Sequence, residues 1–370
     1  MATINYLTRV EFDFGALRLL PRELKSLKIE RPLVVTDKGI AATPIFDQLL
    51  SLVPSNMQLF DGTPSNPTEA AIEEAGQVYS KRNCDGVIAF GGGSSLDLAK
   101  GVRLRVSHEG PLVEYAAIEG GIPRIHGNMP PLIAIPTTAG TGSEVGRGAV
   151  INFSDGQKLG VLSPHNLPSV ALCDPTLTTG LPAGLTAATG MDAISHCLET
   201  YMAPSINPPA DAIALEGLVR GFAALPRAVK DGTDQQARWD MMMASMEGAL
   251  AFQKGLGAVH ALTHPLGAVK DVNLHHGTLN AILMPPVLRF NKSEIGAKWD
   301  RLTEILDGEP DQVIDALNRQ IGIPNRLSDL GVTGAHVDEV AKAALLDHCH
   351  ATNPRQADEN DYRAILEEVF

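Results

Sequence analysis

The chain has 370 residues, 44% hydrophobic and 20% charged, with a formal charge of −13 at neutral pH, enough for two domains with a core each. That acidic balance argues against a nucleic-acid or anionic-membrane partner, either of which would want a basic patch, and no apolar run reaches the roughly 18 residues of a membrane span. MATINYLTRVEFDFG lacks the pattern of a secretory leader, and the scattered Cys84, Cys173, Cys197 and Cys349, with no CxxC pair, point to reduced thiols in a cytoplasm.

In chain order, the first twenty or so residues carry a weak edge-strand and turn pattern. Pro32 introduces LVVTDKG, a buried strand that delivers Thr36, Asp37 and Gly39 to a polar turn, and a helical pattern follows to about Leu52. MQLFDG is a second strand; Asn66 and Pro67 turn the chain, and Thr68 caps the helix EAAIEEAGQVYSKRN. A third strand, DGVIAFGGGSS, runs into the helix LDLAKGVRLRVS. This alternation predicts a doubly wound parallel sheet.

Gly91 to Ser95 lie between that strand and helix, where backbone amides and a helix N-terminus can hold a pyrophosphate. Leu96 occupies the third-glycine position of GxGxxG, so the usual dinucleotide fingerprint is absent. Pro136 to Glu144, PTTAGTGSE, is a second small-residue loop at a strand end. Two such loops line the crevice where parallel sheets bind ligands. Asp37 is either a helix N-cap or an acceptor for a ribose hydroxyl that would repel a 2′-phosphate. Residues from about Gly146 to Asp174, Lys158 among them, alternate as further strands, and helical patterns dominate from Pro182 onward. The expected division is an α/β dinucleotide-binding domain at 1–180 and an all-helical metal-binding and catalytic domain at 181–370.

The helical half holds the densest chemistry. Gln253 to Gly277, QKGLGAVHALTHPLGAVKDVNLHHG, carries four of the eleven histidines. His260 and His264 share one helix face. Pro265 and Gly267 end that helix, and His275 and His276 arrive at Gly277, where backbone can approach closely. Upstream, MDAISHCLETY repeats the four-residue spacing with Asp192 and His196. One carboxylate with three imidazoles suits Zn²⁺ or Fe²⁺. A lone buried histidine is more often a hydrogen-bonded core residue, but four near-paired ones in an apolar, glycine-rich stretch argue for metal. By chemistry, His264 is a ligand or an acid/base beside the metal, and His275 or His276 supplies the last imidazole. Glu199 is a partner to a ligand or an exposed helix residue. Asp347-His348-Cys349-His350 is dense in donors, yet successive residues of a helix point apart, so the expectation is polar surface or site rim. Met241 to Met243 and Cys173 and Cys197 are expected in the core.

Together GGGSSLDLAK, PTTAGTGSE, the Asp192-x-x-x-His196 pair, GLGAVHALTHPLGA and HHG resemble the iron-containing (group III) alcohol dehydrogenases, the lactaldehyde reductase and 1,3-propanediol dehydrogenase types among them. The likeness runs from about Leu33 to Pro354 and Arg355. It implies a dehydroquinate synthase-like fold, with a Rossmann-like α/β N-terminal domain and an all-α C-terminal domain. It also implies a metal-dependent, NAD(P)-linked alcohol dehydrogenase or aldehyde reductase. Carried over residue by residue, Asp192, His196, His260 and His276 bind one Fe²⁺ or Zn²⁺, and His264 orients substrate or relays its proton. The cofactor meets Asp37, Asn66, Gly92, Gly93, Ser94, Thr137, Thr138, Thr141, Ser143 and Lys158, with NAD preferred to NADP through Asp37. VKDVNLHHG is longer than in some relatives, which leaves His275 to compete with His276. The resemblance further implies a cytoplasmic homo-oligomer, a dimer or larger. Its substrates would be small alcohols or aldehydes: short primary alcohols, diols, hydroxy aldehydes or ω-hydroxy acids. The alternative is an NAD- and metal-dependent lyase similar to 3-dehydroquinate synthase. Lys254 and Lys270 are the only cations in the Gln253 to Gly277 stretch, too few for a phosphorylated substrate, and PTTAGTGSE and HPLGA side with the dehydrogenases.

Overall fold

The structure, a computed structural model, describes residues 8–269, 272 and 274–370. Lys270, part of the argument against a lyase, lies outside them. The described residues form two compact units. One runs to Thr138 and resumes at Gly142–Thr178; the other comprises Ala139–Thr141 and Thr179–Phe370.

The first unit is built on strands β1 (Val10–Phe12), β2 (Pro32–Val35), β3 (Gln58–Phe60), β4 (Gly86–Gly91), β5 (Leu132–Pro136) and β8 (Val170–Cys173), all parallel, in the order β1-β8-β5-β4-β2-β3. Strands β6 (Gly148–Asn152) and β7 (Lys158–Leu162) form a separate antiparallel pair. Helices α1 (Leu20–Ser26), α2 (Lys38–Ala41), α3 (Pro44–Leu50), α4 (Glu69–Lys81) and α5 (Gly93–Ser107) connect the parallel strands. Alternate strand residues face opposite ways. Leu33, Val35, Val87 and Ala89 pack with Ile72 and Ala75 of α4 and Leu98 and Val102 of α5. Val34, Ile88 and Phe90 pack with Leu20 and Leu24 of α1 and Phe46 and Leu49 of α3. A sheet covered on both faces must be apolar on both, which is why these strands read as continuous hydrophobic runs.

Details of the turns follow from residue chemistry. Thr68 caps α4, its hydroxyl accepting from the Ala71 amide at 3.2 Å. Gly91 holds φ 155°, and a Cβ there would lie 2.6 Å from Ser95 Oγ, so glycine is required where β4 turns into α5. The chain pairs β3 to one side of β2 and returns as β4 on the other. The turns after β2 and β4 therefore flank a topological switch point, where open sheets of this kind hold ligands.

The second unit comprises α6 (Ala183–Met202), α7 (Pro208–Lys230), α8 (Gln235–Ala251), α9 (Ala258–Leu266), α10 (His276–Ile295), α11 (Ala297–Leu306), α12 (Pro310–Gln320), α13 (Gly334–Ala344) and α14 (Glu359–Glu368). Helix α6 is buried over nearly its whole length from Thr186. The start of α10 approaches it so closely that a Cβ on Gly277 would lie 2.0 Å from the Ala188 carbonyl oxygen. Met241 and Met242 are buried in this unit's core. All four cysteines are buried and unbridged, and none of the described helices is long and apolar enough to cross a membrane.

Candidate metal centre

Three helices of the second unit bring the histidines together. Helix α6 presents Asp192 and His196 one turn apart, α9 presents His260 and His264, and α10 begins with His276. The Nε2 atoms of His196, His260 and His276 lie 3.7, 3.8 and 3.6 Å from Asp192 Oδ1. Asp192, His196 and His260 are buried, and His276 remains partly open. His275, the N-cap of α10, is exposed. The structure thus brings His276 to Asp192.

The chemistry of this donor set fits a cation. Asn280 Nδ2 donates to Asp192 Oδ1 at 2.7 Å and lies 3.2 Å from His276 Nε2 and 3.4 Å from His260 Nε2. A partly positive amide thus sits among converging lone pairs. His260 Nδ1 donates to Glu199 Oε2 at 2.5 Å, and the Val259 amide donates to Glu199 Oε1 at 2.7 Å. That bond fixes the tautomer and turns the Nε2 lone pair inward, as a carboxylate does behind a metal-bound imidazole. Burial pushes the His196 imidazole down to about 4, so it is neutral and able to donate its lone pair. For His260, burial opposes charge, but the hydrogen bond and charge of Glu199, with Asp192, outweigh it and the net direction is up. A cation at Nε2 would take the place of the second proton.

His264 stands beside this group, its ring stacked on His276 with centroids 5.5 Å apart. Its Nδ1 lies 2.8 Å from Asp347 Oδ2. Burial raises the Asp347 carboxyl, but the charge and hydrogen bond of His264 more than reverse this and hold it well below the usual carboxylate range. Asp347 is therefore part of the site. Asp347 is part-buried and His348 exposed, a position at the rim of the site, and Asp347 to Cys349 follow α13 in a turn rather than a helix, where neighbours can face one centre.

In the sheet unit, the predicted cofactor residues gather at strand ends. Asp37 caps α2 through Oδ1, which accepts from Ile40 N at 2.9 Å. Its Oδ2 is 3.8 Å from where a Gly91 Cβ would stand, so the carboxylate also borders the glycine loop. The Thr137 amide donates to Gly91 O at 3.0 Å, and a Gly92 Cβ would touch Thr138 Cγ2 at 3.3 Å. Gly93 opens α5, Ser94 Oγ donates to Ser65 O at 2.6 Å, and Lys158 Nζ donates to Asn66 Oδ1 at 3.1 Å. Thr141 falls in the short segment that packs with the helical unit.

Matches to known proteins cover both units. The iron-containing alcohol dehydrogenase family model matches residues 8–175, and the C-terminal model of the Fe-containing alcohol dehydrogenases matches residues 186–370. The chain belongs to the iron-containing alcohol dehydrogenase family. It is 52% identical to 4-hydroxybutyrate dehydrogenase of Cupriavidus necator, with 100% of each chain covered. It is 36% identical to 1,3-propanediol dehydrogenase of Citrobacter freundii, over 97% of this chain and 96% of that one. Among solved structures, a 1,3-propanediol oxidoreductase superposes with a TM-score of 0.95 at 34% identity, and alcohol dehydrogenase from Oenococcus oeni with 0.94 at 30%, each covering 100% of both chains. The fold is that of this family, and the enzyme is a metal-dependent, nicotinamide-linked oxidoreductase acting on an alcohol or carbonyl. The lyase alternative loses its footing with these matches.

Two supports of this alcohol dehydrogenase lie within a motif but were not singled out from the sequence. Lys100 is fully buried, and its Nζ donates to Ser143 Oγ at 2.7 Å, Gly146 O at 2.9 Å and Gly148 O at 2.7 Å. Asp97 accepts from Ser143 Oγ at 2.5 Å and from Val150 N at 2.9 Å. Both lie inside GGGSSLDLAK and brace the loop that follows PTTAGTG. The available signal was a lysine and an aspartate three apart on a helix among Leu96, Leu98, Ala99 and Val102 of the core, which is a poor place for solvated charge.

Proposed function

We propose that the enzyme is an NAD-linked, Fe²⁺-dependent dehydrogenase of short ω-hydroxy acids, with 4-hydroxybutyrate as the model substrate. Asp192, His196, His260 and His276 are the residues that would hold the ion. The observation that carries this assignment is the meeting of their donor atoms around Asp192, with His260 oriented by Glu199. A divalent cation supplies charge that lowers the pKa of an alcohol oxygen or polarises a carbonyl. Three neutral imidazoles and one carboxylate leave such a site a net positive charge. His264 orients the substrate or moves its proton, with Asp347 holding the ring at Nδ1. The sheet unit serves as the dinucleotide-binding domain and the helical unit, to which Ala139–Thr141 also belong, as the metal-binding and catalytic one, with the division near residue 180.

Asp37, Asn66, Gly92, Gly93, Ser94, Thr137, Thr138, Thr141, Ser143 and Lys158 are the proposed cofactor contacts. The amides opening α5 suit a pyrophosphate, and the carboxylate of Asp37 suits a ribose hydroxyl and disfavours a 2′-phosphate. The cap and the ribose contact use different oxygens, so both roles coexist. The protein works as a homo-oligomer in a reducing cytoplasm, which its four unbridged thiols support.

The substrate class rests on the higher identity to the hydroxybutyrate enzyme than to the propanediol enzymes. The test is kcat/KM with NAD for 4-hydroxybutyrate, 1,3-propanediol and 1-butanol. A preference of about tenfold or more for the hydroxy acid, ~1.4 kcal/mol in the transition state, supports the assignment. The reverse order removes it.

A further inference from the structure

We infer that His264, Asp347, His348 and Cys349 form a second divalent-metal site, distinct from the Asp192 centre and suited to a thiophilic ion such as Zn²⁺ or Cd²⁺. Each residue offers one donor atom, and the four atoms lie within 4.8 Å of one another. His264 Nδ1 is 2.8 Å from Asp347 Oδ2, and His348 Nε2 is 3.5 Å from Cys349 Sγ. A tetrahedral zinc with bonds of about 2.0 Å to nitrogen and about 2.3 Å to sulfur sets neighbouring donors roughly 3.3–3.8 Å apart. Small side-chain adjustments therefore suffice. The turn helps, because the Cys349 amide donates to Asp347 Oδ1 at 2.8 Å and folds both residues to one side. Cys349 lies at the buried end, and the His348 side chain, 48% exposed, is the entrance.

The two donor sets select different ions. Asp192 and its three imidazoles contain no sulfur and accept iron. One thiolate, one carboxylate and two imidazoles are softer and favour zinc or cadmium. The second set also neutralises a divalent ion fully, with one charge from Asp347 and one from Cys349, which suits a largely buried position. Without metal, burial and the charges of Asp347 and Glu199 push the Cys349 thiol up, so it is protonated and inert. Uptake releases the Cys349 thiol proton to solvent and requires the proton between His264 Nδ1 and Asp347 to leave that nitrogen, for Nε2 of the same ring or for solvent.

An ion here takes Asp347 away from His264 and ties the imidazole down, so zinc would inhibit an iron-loaded enzyme. That consequence rests on the proposed role of His264; the binding itself does not. The probe is Co²⁺, titrated into the iron-loaded full chain. Thiolate ligation gives a near-ultraviolet sulfur-to-cobalt charge-transfer band that the sulfur-free Asp192 centre cannot produce. The expected result is a saturable band, bleached by Zn²⁺ or Cd²⁺ and lost in Cys349→Ser. In His348→Ala, cobalt binding should weaken by more than the roughly tenfold that even an outer partner costs. His348 is exposed, so this variant carries the test if Cys349→Ser fails to fold. Absence of a band, or a band that survives both substitutions, overturns the site. Zinc that bleaches the band without slowing turnover upholds the site and removes His264 from catalysis.

Discussion

In the helical unit, chemistry resides in side chains: donors from α6, α9 and α10 meet around Asp192, and carboxylates of Glu199 and Asp347 hold two of the rings. In the sheet unit, the strand ends offer mainly backbone, small residues and hydroxyls, braced by buried Lys100 and part-buried Asp97. Side-chain sites fail when a donor is lost or turned, whereas backbone sites fail when a loop shifts. The two units should therefore separate under paired readouts, metal content for one and NAD affinity for the other.

Among variants that keep every proposed ligand, the largest effect should come from Gly277→Ala. Its Cβ would meet the Ala188 carbonyl oxygen at 2.0 Å, so α10 must move off α6 and carry His276 away from Asp192. Iron affinity should fall by more than roughly 100-fold, beyond the usual cost of an outer partner, while NAD binding by fluorescence titration holds. Glu199→Gln comes next. Losing the carboxylate that orients His260 should weaken iron binding by about 10–100-fold, read as metal retained after dialysis against graded chelator. If either variant lost NAD affinity instead, the division between the units would break.

Lys100→Met tests the other side. It removes three hydrogen bonds and leaves Asp97 without its cation, at a cost of about 3 kcal/mol or more in denaturant unfolding. KM for NAD should rise with iron content unchanged. The smallest effect concerns Glu144, which burial, partly opposed by its own backbone hydrogen bond and by Lys100, raises from 4.5 to about 7. Across that window the folded chain binds more protons than the unfolded one, so this residue's contribution to stability falls as pH rises. Glu144→Gln should be more stable than the parent above pH 7 or so, with the difference shrinking as pH falls toward 4.5. A pH-independent difference would mean that Glu144 does not ionise there.

Much of this was legible because helices convert spacing into direction. Asp192 and His196, like His260 and His264, are four apart and emerge on one face, and the strands betrayed themselves by apolar runs between turns. Asp347 was not legible, since its partner His264 is 83 residues away and the local segment is a turn with no period to read. The choice between His275 and His276 was equally hidden. It depends on where α10 begins, and Gly277 against Ala188 sets that by packing across helices. Asp37 was open for the opposite reason: one side chain serves the cap and borders the glycine loop at once.

The most direct test of the central claim is NADH formation from 4-hydroxybutyrate by metal-stripped protein, before and after reloading with Fe²⁺, alongside His260→Ala treated identically. The account predicts no turnover when stripped, recovery with Fe²⁺ in the parent, and a shortfall on the order of 10³-fold in the variant. Turnover that survives stripping, or an iron-loaded parent that binds NAD yet oxidises no alcohol, would contradict it.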